Sequence, residues 1–185
     1  MDIFAHALWA GVAVTMLRQR RAIAPRITPR VIAATVGLAV LPDLVHTMPL
    51  LGWWMFGDGS MAALRAYAIA MPGQEPLLPP TVQLLSHHLH CAMHSVLLAG
   101  AVTLVCYALT RSLWVPLLGW WLHIVIDVFT HSADYYPVAV LYPIAQGGFD
   151  GIAWNTPWFM ALNYIVLGVV GLWLILKSNG RPPRE

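Results

Sequence analysis

Charge is what this chain has least of. Only 10% of its 185 residues are Asp, Glu, Lys or Arg, whereas 59% are apolar. A soluble globular domain carries about 25% charged residues. The shortage excludes an ordinary soluble domain and points to an all-α, polytopic membrane protein in one domain, residues 1–185. Cysteine is scarce too: Cys91 and Cys106 are the only two. Both fall in one expected helix, about 22 Å apart along its axis at ~1.5 Å per residue. That separation excludes a bridge between them and any disulfide framework. The first apolar run has no basic cluster before it, which argues against a cleavable export signal. Gly147-Gly148 precedes no lysine at a helix start, so it reads as a turn and not as a phosphate loop. No internal repeat or low-complexity segment is present.

What remains is apolar helix. Five spans are expected, at about 3–17, 31–51, 87–110, 113–130 and 157–176. Pro42 should kink or break the second. Met61 to Met71 suits a short interfacial helix, and 72–80 a Pro-rich loop. Tryptophans near span ends, Trp9, Trp53, Trp54, Trp120, Trp121, Trp154 and Trp158, suit an aromatic belt. Loops of a five-span chain alternate sides. Arg18, Arg20, Arg21, Arg26, Arg30, Arg111, Lys177, Arg181 and Arg184 then share one side, and Arg65 alone takes the other. The positive-inside rule sets the N-terminus outside and the C-terminus in the cytoplasm.

Histidine is the residue in surplus. Four of the eight lie in His87-His88-Leu89-His90-Cys91-Ala92-Met93-His94. At ~100° per residue His87, His90 and His94 share a helical face, and His88 points away. His123, Asp127 and His131 also share one face, with Thr130 beside it. On the expected frame these residues, together with His6, Asp43 and His46, all fall in the outer half of the membrane. A lone histidine reads as a cap or an interfacial anchor. Six at ligand spacing beside two intramembrane carboxylates read as a metal site. Each carboxylate costs about 2.5–3.5 kcal/mol in the bilayer. No Lys or Arg reaches that depth, so a bound cation or a charged histidine must compensate. Imidazole and carboxylate donors suit Zn²⁺, Mn²⁺ or Fe²⁺, one ion or two. The expected ligands are His6, Asp43, His90, His94, His123 and Asp127, with His87 an alternative. Asp43, His46 and Asp127 are the expected acid–base groups. Haem held by a histidine pair is the rival cofactor, but it leaves Asp43 and Asp127 uncompensated. A proton or ion path is a second rival, and the polar residues stop halfway. Asp134 is expected in solvent, and Tyr135, Tyr136 and Tyr142 as interfacial anchors.

His6, Leu41-Pro42-Asp43-Leu44-Val45-His46, His94-Ser95 and His123-x3-Asp127-x2-Thr130-His131 follow one another in an order that resembles the bacterial inner-membrane metal-dependent hydrolases of the YdjM type. The resemblance covers about residues 1 to 145. Cys91-Ala92-Met93 stands where that family often has a charged residue, and Leu44 and Val45 stand where it often has a second acid. The family is distantly similar to zinc-dependent phospholipase C and P1-type nucleases. The resemblance implies zinc-type hydrolysis of a phosphoester in a bacterial inner membrane. A site facing outward between apolar helices implies a lipid or lipid-linked substrate and no nucleic acid.

Overall fold

A computed structural model describes residues 1–20, 22–72 and 74–179, with side chains to Lys177. Arg21, Gly73, Arg181 and Arg184 lie outside the described residues. The chain is helical: α1 (Ile3–Arg18), α2 (Pro29–Phe56), α3 (Met61–Ala68), α4 (Pro80–Met93), α5 (Val96–Thr110), α6 (Leu117–Thr130) and α7 (Pro157–Asn179). Local chemistry sets the starts. Asp2 caps α1 through Ala5 N at 3.0 Å, and Ser60 caps α3 through Ala63 N at 3.1 Å. Thr28 caps α2, whose first residue is Pro29, where a missing N–H costs nothing.

Two helices, α2 and α7, are long and apolar enough to cross a membrane, and α4 with α5 makes a third if that bent pair is one span. The protein is therefore a helical membrane protein. α1 and α6, at 16 and 14 residues, fall short of the ~20 needed for a straight crossing. Residues 113–116, expected within the fourth span, are not helical.

The expected span 87–110 is two helices meeting at 55° around His94 and Ser95. Cys91 and Cys106 consequently sit on different helices, both as free thiols. The break is made by contacts from elsewhere in the chain. Val96 N–H donates to Val140 O at 2.9 Å, and Ser95 Oγ donates to Tyr142 O at 2.6 Å. Ser95 Oγ also caps α5 through Leu97 N and Leu98 N. Trp120 Nε1–H donates to Met93 O at 2.6 Å, so this tryptophan is a buried strut and not part of a belt. Irregular backbone survives in an apolar bundle only where protein groups satisfy it. Pro42, by contrast, does not end α2, which runs through both Pro42 and Pro49. Tertiary packing overrides the lost hydrogen bond, because α2 is the central helix and packs on α1, α4 and α6.

The α2–α6 crossing is close. A Cβ on Gly119 would lie 1.9 Å from Thr35 O, so only glycine allows the two backbones to meet there. Beyond α6, the 131–156 connection folds back on its end. Gly151 N–H donates to His131 O, Ile152 N–H to Phe129 O, and Trp154 N–H to Thr130 O.

Candidate metal centre

Asp43 comes from α2, His94 from the α4–α5 break, and His123 and Asp127 from α6. One donor atom from each lies within 4.8 Å of the other three. His94, His123 and Asp127 are fully buried, and Asp43 is 9% exposed. His94 Nε2 is 2.9 Å from His123 Nε2 and 3.0 Å from Asp127 Oδ2. His123 Nε2 is 3.1 Å from Asp127 Oδ2 and 3.7 Å from Asp43 Oδ1. Ion bonds of 2.0–2.1 Å in a tetrahedron put donors about 3.3 Å apart, so the spacings are of the right size for one ion.

The other ring nitrogens fix what these atoms are. His123 Nδ1 is 2.6 Å from Ala39 O, His94 Nδ1 is 2.8 Å from His90 O, and His131 Nδ1 is 2.9 Å from Tyr136 O. A carbonyl only accepts, so Nδ1 carries the proton in each ring. In the neutral ring Nε2 is then a lone pair. Two such lone pairs, of His94 and His123, converge on Asp127 Oδ2, while that of His131, 3.5 Å from the same oxygen, accepts from the Met1 ammonium at 3.2 Å. Acceptors this close repel unless a cation or a shared proton lies among them. His94 and His123 Nε2 cannot both be protonated at 2.9 Å, since two N–H bonds would then point into one gap. A carbonyl on Nδ1 and an open Nε2 is the arrangement by which proteins orient metal-ligating histidines.

His6 stacks on His123 with ring centroids 3.8 Å apart. Its Nε2 is 2.9 Å from Asp127 Oδ1 and 3.9 Å from Asp43 Oδ2, yet neither ring nitrogen is hydrogen-bonded. Asp43 Oδ2 also lacks a partner. Orphaned buried polar atoms cost about 1–3 kcal/mol each, and here they surround one point. The donor set therefore fits a metal ion. Donors gathered around a point, with two Nε2 atoms 2.9 Å apart, leave no room for a porphyrin plane between the histidines.

The remaining expected residues fall around this set. His46 Nε2 is 3.6 Å from Asp43 Oδ1, at the edge of the group. His90, expected among the ligands, is not in the converging set. It lies one turn back in α4, its ring 4.1 Å from that of His94, with both nitrogens unpartnered. His87 Nε2 is 3.6 Å from Cys91 Sγ. His88 points away as its phase predicts, and its Nδ1 is 2.9 Å from Tyr142 OH. The spacing singled out His131, but the expected ligands omitted it. The three carbonyl partners had no signal in the sequence. Thr130 Oγ1 lies 3.4 Å from Asp127 Oδ1, and the Met1 α-amino group contacts the same oxygen.

A cleft of about 320 Å³ adjoins the centre, lined by Tyr67, Ser86, His87, His90, Asp134 and Tyr136 among others. Asp134 is exposed there, as expected. Tyr135 is not an interfacial anchor: it is buried, and its hydroxyl donates to Ala70 O at 2.9 Å. Burial pushes the Tyr135 hydroxyl up to about 12 and also raises Tyr67 and Tyr136, so all three stay protonated near neutral pH.

No protein-family model matches the chain, and neither a curated protein nor a solved structure does.

Proposed function

We propose that this protein is a membrane-embedded, zinc-type hydrolase that cleaves a phosphoester of a lipid or lipid-linked substrate. The convergence of Asp43, His94, His123 and Asp127 beside the cleft carries the reading. In the proposed setting five helical segments cross a bacterial inner membrane, with the N-terminus and the site outside and the C-terminus in the cytoplasm. The placement of basic residues supports that orientation.

A bound divalent ion would supply Lewis acidity and an activated water. The chain's own residues then have separable tasks. The Nδ1–H bonds to Ala39 O and His90 O hold the His123 and His94 rings in the ligating orientation. Asp43 Oδ2, free of hydrogen bonds, accepts the proton of the attacking water. His46 sits against the other oxygen of Asp43 and steadies the carboxylate. His90 lines the cleft with unpartnered nitrogens and offers a hydrogen bond to the departing alkoxide, which takes up the proton collected by Asp43 as the P–O bond breaks. Tyr67 and Tyr136 offer neutral hydroxyls to the headgroup.

Protein reconstituted with a panel of phospholipids and polyprenyl phosphates is expected to release phosphate or a phosphorylated headgroup. Release should stop with chelator and with Asp127→Asn, and zinc should restore it only in the wild type. A second reading has its own support. The complete burial of His94, His123 and Asp127 also suits a closed, structural ion. Full zinc occupancy without turnover across the panel would decide for that reading.

A further inference from the structure

A second concavity lies outside the metal centre, between α1, α6 and α7. It is an open groove of about 760 Å³. Met16 and Leu17 of α1, Leu118, Leu122 and Val125 of α6, and Trp173 of α7 form its apolar walls. Positions 118, 122 and 125 are one helical face of α6, opposite the face that carries His123 and Asp127. The groove exists because α7 packs on α1 and not along α6, which leaves that face of α6 uncovered. One end is polar and positive. Arg20 lies just past the end of α1, and Lys177 lies near the end of α7. The Lys177 ammonium sits over the Trp173 ring, 4.5 Å from its centroid, which ties it to the groove wall. No acidic residue lines the groove, and neither cation has a carboxylate within ion-pair distance among the described residues.

We propose that this groove binds one anionic phospholipid, with an acyl chain along the α1–α6–α7 walls and the phosphate between Arg20 and Lys177. Charge complementarity selects the occupant. Two cations at the mouth of an apolar channel, without an ion-pair partner among the described residues, match an anionic headgroup on a hydrocarbon chain, and they give no advantage to a zwitterion. The site is independent of the hydrolase reading, because its residues contribute nothing to the metal centre.

Full-length protein is delipidated in detergent and offered phosphatidylglycerol or phosphatidylcholine, and retained lipid is read by native mass spectrometry. Two surface cations are together worth roughly thirtyfold in lipid selectivity, so phosphatidylglycerol should be retained about that much better. Arg20→Gln with Lys177→Gln should abolish the preference. Lys177→Gln alone, at an exposed position that leaves folding intact, should remove about half of it on a logarithmic scale. Leu122→Trp should fill the groove and lower retention of both lipids. Glycerol phosphate, which has no chain, should not displace the lipid. Equal retention of the two lipids, a preference that survives in the glutamine variants, undiminished binding by Leu122→Trp, or full displacement by glycerol phosphate would each overturn the proposal.

Discussion

Replacing Gly119 by alanine disturbs the metal centre without touching a donor atom. The new Cβ would stand 1.9 Å from Thr35 O and 3.1 Å from Ala39 N. Both are backbone atoms, so no side-chain rotation relieves the clash. To reach ordinary contact at 3.4 Å, α2 and α6 must part by about 1.5 Å. Asp43 rides on α2, while His123 and Asp127 ride on α6. The 2.6 Å bond from His123 Nδ1 to Ala39 O crosses the same interface. Opening it by that amount carries the pair beyond hydrogen-bonding distance. Loss of a partner that orients a ligating histidine costs about 10–100-fold in metal affinity. Overpacking adds about 1–3 kcal/mol of destabilisation. Gly119→Ala should therefore bind zinc about 10–100-fold more weakly in competition with a chromophoric chelator. A thermal melt of the same samples separates weakened binding from unfolding. Gly37→Ala, in the same α2 but with nothing within 4 Å of its Cβ, should bind as the wild type does. A folded Gly119→Ala protein with wild-type zinc affinity would refute the argument.

Asp127→Asn and His94→Ala should each reduce zinc to trace levels by elemental analysis, whereas His88→Ala should keep it, because that ring faces Tyr142. Retention in His94→Ala with loss in His88→Ala would reverse the assignment. His90→Ala should keep its metal and lose about 10–100-fold in turnover, the scale of a hydrogen bond to a charged group. If zinc is lost instead, His90 is a ligand and not a hydrogen-bond donor to the leaving group.

Much of the centre was legible because α6 is a regular helix. His123 and Asp127 are spaced four apart, and a continuous helix delivers such residues to one side, with His131 just past its end. Asp43 was legible for a different reason: a carboxylate in an apolar run needs a partner, whatever the local geometry. The helix break was not legible. Pro42 signalled one where tertiary packing holds α2 together, and no Pro or Gly marks the break at His94 and Ser95. That break depends on Val140 and Tyr142, more than 40 residues away in sequence. Helical phase therefore grouped His90 with His94, although the phase ends at Met93. The ring of His94 turns into the centre, and His90 stays toward the cleft. Backbone carbonyls such as Ala39 O were out of reach for a similar reason. Every residue has one, and only the fold selects which.

The carbonyl bonds lead to a last prediction, about protons. With Nδ1 of His94 and His123 committed to carbonyls, the two Nε2 atoms and Asp127 Oδ2 form a triangle of acceptors with sides of 2.9, 3.0 and 3.1 Å. The metal-free protein cannot hold that triangle closed with lone pairs alone. At least one proton must sit within it, either on an imidazole or on the carboxylate. Zinc needs those same lone pairs, so its binding must expel that proton. Titration calorimetry in buffers of different ionisation enthalpy should show release of about one to two protons per zinc at neutral pH. Affinity should fall as pH is lowered, because protons compete for the donors. Zinc binding with no proton release and no pH dependence would mean that the triangle does not hold the ion, and the donor assignment would fall with it.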